Sequence, residues 1–120
     1  MFELTREPGG QWKENVLYDF CAVGICEDGG SSYAGLVFDK AGNLYGTTFS
    51  GGAYKINGVV FALTSGAAGG MWNEVPLYSF EGAPDGGNPV AGLILDAAGN
   101  LYGAAGGGVY GNGVVFEVIP

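Results

Sequence analysis

Four aspartates arrive as two equivalent pairs. Asp28 and Asp85 lie in Gly-rich loops, and Asp39 and Asp96 open the strings Asp39-Lys40-Ala41-Gly42-Asn43 and Asp96-Ala97-Ala98-Gly99-Asn100. Two carboxyls at a set separation are what glycoside hydrolysis requires. The competing role is structural, since an Asp side chain can accept backbone N–H groups two residues on and hold a turn. Recurrence around a repeat favours the structural role for all four. The chain contains no His, which removes Ser-His and Cys-His nucleophile activation and any imidazole metal centre. The expectation is a non-enzyme with no catalytic residues, no cofactor and no metal; the loop acids also lack the Asp-x-Asp-x-Asp-Gly series of a calcium loop.

Binding chemistry is better represented. Trp12 and Trp72 can each stack an indole face on a sugar ring while the ring N–H donates, although a Trp just before an outer strand more often covers the edge of a sheet. Tyr54 and Tyr110 stand in the Gly-rich loops that vary between repeats. These four aromatics, with Asp28 and Asp85, are the candidate ligand-binding residues. Asn57 and Asn112 are read as turn residues.

Cys21 and Cys26 share one loop, and its counterpart in the second half is three residues shorter and has no Cys. A local disulfide would add roughly 2 kcal/mol by the chain-entropy estimate and would imply an oxidising compartment. Two free thiols are the alternative. Two thiols without His cannot complete a zinc site.

The elements that must position these residues are written twice. Phe2-Glu3-Leu4-Thr5, Trp12, Leu17-Tyr18, Phe20, Ala34-Gly35 and Gly42-Asn43-Leu44-Tyr45-Gly46 recur as Phe61-Ala62-Leu63-Thr64, Trp72, Leu77-Tyr78, Phe80, Ala91-Gly92 and Gly99-Asn100-Leu101-Tyr102-Gly103. The spacing between partners is 59 at Phe2/Phe61 and 55 at Gly58/Gly113, and each change falls in a Gly-, Ser- or Pro-rich stretch, so the conserved segments are elements and the variable ones loops. Gly58–Leu63, Val75–Phe80, Ala91–Asp96 and Asn100–Ala105 are short, β-branched or aromatic, and bounded by Gly, Pro, Asn or Asp. No helical stripe competes, so the fold class is all-β. Four antiparallel strands per unit, repeated, is the pattern of a β-propeller blade. The units are residues 1–57 and 58–112, with 113–120 a surplus strand, in one continuous domain.

Gly and Pro form a quarter of the chain, yet with a period and with nearly half the residues apolar, so a folded domain is expected. Twelve acids against four bases give a net charge of −8, which makes nucleic acid and anionic membrane poor partners. No stretch is apolar enough to be a transmembrane span.

The string Leu-Tyr-x-Phe, an Asp-Gly loop, Ala-Gly-Leu-Ile/Val-x-Asp-x-x-Gly-Asn-Leu-Tyr-Gly, a Gly-Gly turn and Gly-x-Val-Phe-x-Leu resembles the Gloeobacter/Verrucomicrobia (GloVer) tandem repeat over nearly the whole chain. The resemblance implies a bacterial, secreted or cell-surface setting without an established reaction, and Cys21 and Cys26 match a Cys-x-x-x-x-Cys loop variant of that family. The signal peptide and anchor of such proteins are not seen here. The Asp-x-x-Gly-Asn-Leu-Tyr hairpin also looks like the first hairpin of other propeller blades. It implies that the strands ending at Asp39 and Asp96 lie innermost and the Leu-Tyr-x-Phe strands outermost.

Two units cannot close a ring of four to eight blades. Head-to-tail self-association into a trimeric or tetrameric ring, or membership of a longer array, is therefore expected, with residues 1–5 and 113–119 competing for one position. The functional expectation is an extracellular repeat module with a structural or protein-binding role, and the alternative a glycan-binding lectin formed by oligomerised chains.

Overall fold

The computed structural model describes residues 1–22, 24–66 and 71–120. Among the described residues nine strands form: β1 (Phe2–Arg6), β2 (Trp12–Val16), β3 (Val37–Phe38), β4 (Leu44–Thr47), β5 (Val59–Thr64), β6 (Asn73–Ser79), β7 (Ile94–Leu95), β8 (Leu101–Ala105) and β9 (Val114–Val118). The protein is all-β, and every pairing between these strands is antiparallel. They make three sheets ordered β1-β2, β3-β4-β5-β6 and β7-β8-β9. The middle sheet is the expected four-stranded meander. The first sheet supplies the equivalents of its last two strands and the third sheet those of its first three.

The outer strand β6 tolerates Pro76 because its far edge carries no ladder, and a register shift at Val60/Phe61 sets Pro76 opposite Phe61. Two expectations about strand length are adjusted. Regular pairing of the segments that end at Asp39 and Asp96 covers only Val37–Phe38 and Ile94–Leu95, and ahead of it Ala34-Gly35 and Ala91-Gly92 approach each other: a Cβ placed on Gly92 would lie 3.7 Å from the Gly35 carbonyl oxygen. In the first sheet the outer strand starts at Trp12 and stops at Val16, before Leu17-Tyr18, where the Met1 carbonyl accepts from Leu17 N–H at 2.9 Å.

Two cores lie between sheets. Leu44, Val59, Phe61 and Leu63 of the middle sheet are buried with Met1, Leu17, Tyr18 and Phe20 against them. Val60 and Phe80 are buried with Leu93, Leu101 and Ala105 of the following segment, and Val114, Phe116 and Val118 pack on that group. Alternate residues of β5 thus serve opposite neighbours, as a two-residue period requires. Opposite Phe61 and Phe116 stand glycines: a Cβ on Gly46 would sit 2.7 Å from Phe61 Cζ, and one on Gly103 2.5 Å from Phe116 Cζ. The radius of gyration, 15.1 Å, exceeds the about 13.5 Å of a compact chain of this length, as expected of sheets set side by side.

Candidate functional site

In an antiparallel meander successive connections alternate between two ends of the sheets. The β1–β2, β3–β4, β5–β6 and β7–β8 connections therefore share one end, and the β2–β3, β4–β5, β6–β7 and β8–β9 connections, which include the longest three, share the other. At the long-loop end Gly30 bridges to Ser50 and Gly87 to Gly106. Asn88, which the sequence reading passed over, ties this end together, its side-chain amide donating to the carbonyls of Phe49 at 2.8 Å and Ile56 at 2.9 Å. The loops leave Ile25, Tyr33, Tyr54, Ile56, Val109 and Tyr110 exposed there.

The candidate acids are each engaged. Asp28 accepts the Tyr18 hydroxyl at 3.0 Å and the Cys21 N–H at 3.0 Å. Its counterpart Asp85 accepts the Tyr78 hydroxyl at 2.6 Å and the Glu81 N–H at 3.1 Å. At the short-turn end, Asp39 takes the N–H groups of Ala41 and Asn43, the Asn43 amide and the Tyr45 hydroxyl at 3.1 Å. Asp96 repeats the set with Ala98, Asn100 and Tyr102. Every one of these carboxylates therefore receives a tyrosine hydroxyl and at least one backbone N–H. The Asn43 side-chain amide, chief among several donors, lowers the Asp39 pKa, and the Asn100 N–H does the same at Asp96. The tyrosines shift upward: burial, aided by Asp28, takes Tyr18 to about 12, and the bond to Asp85 takes Tyr78 to about 12.

The six ligand candidates divide. Tyr54, Tyr110, Asp28 and Asp85 belong to loops of the long-loop end, whereas Trp12 and Trp72 stand at the starts of the outer strands, toward the other end. Trp72 packs on the Leu44–Phe61 core, and Trp12, the first residue of β2 rather than a residue preceding it, is exposed beside Arg6 across the strand pair. Tyr54 donates to Glu81 Oε1 at 2.8 Å across two loops of the long-loop end, which raises its pKa. Tyr110 is exposed, and its carbonyl accepts the Asn112 amide at 3.1 Å. Asn57, read as a turn residue, also passes its carbonyl to the Asn88 N–H at 2.7 Å. Cys21 and Cys26 are bonded to each other, with Cα atoms 4.2 Å apart.

Two features escaped the sequence reading. One is the tyrosine–aspartate pairing, whose signal was present: Tyr18/Tyr78 and Tyr45/Tyr102 recur together with the acids they hold. The other is Glu74 on β6, half-buried, its pKa pushed up to about 7 mainly by burial and further by Asp28. No periodicity marks that site, because its equivalent Glu14 is exposed.

The Gloeobacter/Verrucomicrobia repeat model matches residues 1–120. No curated protein and no solved structure matches the chain.

Proposed function

The chain belongs to the Gloeobacter/Verrucomicrobia repeat family, and we propose that it serves as a non-enzymatic, extracellular propeller-type module whose long-loop end binds a protein partner or bears a structural load. The observation that carries the reading is the use made of the acids. Asp28, Asp39, Asp85 and Asp96 each accept a tyrosine hydroxyl and at least one backbone N–H, although both donors to Asp85 meet Oδ2 and its buried Oδ1 has no partner among the described residues. A general acid or nucleophile needs a carboxyl free to meet substrate; a carboxylate clamped the same way in each repeat is holding a loop. What those loops then offer is exposed aromatic and aliphatic surface on a glycine-rich frame, the composition of a recognition surface.

Assaying the protein on a polysaccharide panel tests this. No turnover is expected, and turnover lost in Asp28→Asn or Asp85→Asn would refute the reading. Protease treatment of intact cells tests the extracellular setting, with cleavage expected from outside.

One observation favours glycan binding as a second reading. Tyr54 and Glu81, an aromatic face and a carboxylate 2.8 Å apart at an exposed site, offer the pairing of stacking and hydrogen bonding that sugars use. A glycan array probed with the wild type, Tyr54→Ala and Trp12→Ala proteins separates the two: binding lost only in Tyr54→Ala selects the lectin, and no binding selects the module.

A further inference from the structure

The first sheet displays an apolar face of unusual density for a surface hairpin. Cross-strand partners share a face, so the register Phe2↔Val16, Leu4↔Glu14 and Arg6↔Trp12 places Phe2, Leu4, Trp12 and Val16 together. Phe2 is 59 % exposed and Leu4 53 %. Their repeat equivalents Phe61 and Leu63 are both fully buried, covered by the sheet that precedes them. Trp72, equivalent to Trp12, closes the edge of that same core.

The third sheet is bare on the opposite side. Val115 is 85 % exposed and Ile94 69 %. Val60 and Val37, which hold the same places in the middle sheet, pack against the core that the following sheet covers. The chain therefore contains, as its own internal junctions, the contact that both outer faces lack: Phe116 and Val118 of one sheet against Val60 and Val37 of the sheet before it. Phe2 and Leu4 reproduce Phe116 and Val118 in type and spacing, and Val115 and Ile94 reproduce Val60 and Val37.

We infer that the β1–β2 face of a second copy of this chain docks on the Val115–Ile94 face of the β7–β9 sheet, continuing the internal sheet-to-sheet packing between molecules. The charged groups of the two faces are few: Arg6 and Glu14 share the hairpin's apolar face, and Glu117, which accepts the Tyr102 hydroxyl at 2.7 Å, shares the face of Val115, with Arg6 and Glu117 both toward the short-turn end of their sheets. The contact joins two different surfaces, so it is heterologous and propagates head to tail, either closing as a ring or running on. It is independent of what the long loops bind, and loss of ligand binding leaves it untouched.

Sedimentation of the 120-residue protein over a hundred-fold range of concentration reads it out. A mass above that of the monomer is expected at the upper end, and a monomer throughout overturns the inference. Phe2→Asp and Val115→Asp change exposed residues and are expected to fold, with near-UV circular dichroism as the control. Each alone is expected to reduce the protein to a monomer, because each ruins one half of the contact. Mixed in equal amounts they are expected to form a heterodimer and nothing larger, since one intact hairpin face meets one intact sheet face. Self-association of Val115→Asp at the wild-type level, or a mixture that stays monomeric, overturns the head-to-tail arrangement.

Discussion

The β1–β2 hairpin and the β5–β6 hairpin are two printings of one text with different fates. Phe61 and Leu63 are sealed between sheets, whereas Phe2 and Leu4 face solvent. The loops that follow differ as well. The loop after Phe20 carries the Cys21–Cys26 bond and the loop after Phe80 carries none, yet each fixes its Asp with the same tyrosine and the N–H directly after the phenylalanine. The comparison teaches that the local hydrogen-bond frame belongs to the unit, while burial belongs to its neighbours.

The sharpest way to break that comparison is to truncate the equivalent phenylalanines. Phe61→Ala is expected to cost about 3–5 kcal/mol, the range for a fully buried ring, and Phe2→Ala under about 1 kcal/mol for the monomer, both read from denaturant midpoints under dilute conditions. Equal costs would mean that the hairpin face is covered in solution even then. Next in size, removing the cross-link with Cys21→Ser/Cys26→Ser is expected to cost about 2 kcal/mol while the Tyr18 titration stays near 12. A Tyr18 pKa returning to its ordinary value would show that the disulfide, and not the aspartate, builds the loop.

The outer-strand glutamates give a smaller contrast with a pH signature. Burial raises the Glu74 pKa from 4.5 to about 7, so the folded state is favoured when this group is protonated. That contribution is complete below pH 4.5 and is lost as the pH climbs through about 7. Glu74→Gln is therefore expected to raise stability at pH 8 by about 1 kcal/mol after allowance for solvent screening, with no gain at pH 4. Glu14→Gln is expected to leave the melting temperature unchanged at both. The smallest effect has the opposite sign of pH dependence: the depressed pKa values of Asp39 and Asp96 give stability that is present above the ordinary carboxylate range and lost as the pH falls through the depressed values. Asp39→Asn and Asp96→Asn are expected to flatten the acid limb of the melting curve by similar amounts, and a flattening confined to one of them would show that the two turns are not equivalent.

Much of the fold was legible because its signals are local. Asp39-x-x-Gly-Asn and Asp96-x-x-Gly-Asn encode tight turns in their own side chains, with Gly42 and Gly99 at φ of 89° and 95°, and the short β-branched and aromatic run of Gly58–Leu63 marks a strand without reference to anything distant. The candidate site was less legible. Tyr54 was singled out for its loop, but its partner Glu81 belongs to a different loop, a juxtaposition that no spacing in the chain specifies. Trp12 and Trp72 read alike and sit differently, one on the surface and one on a core.

The sequence by itself determined the unit, its four strands and the turns that join them, because hydrogen-bonded turns and short β-branched or aromatic runs act over a few residues. Only the tertiary structure decided which copy of each apolar face is covered, which long-loop residues meet, and where a carboxylate becomes hard to ionise. Burial and desolvation depend on what lies across the gap between sheets, and identical segments meet different neighbours there.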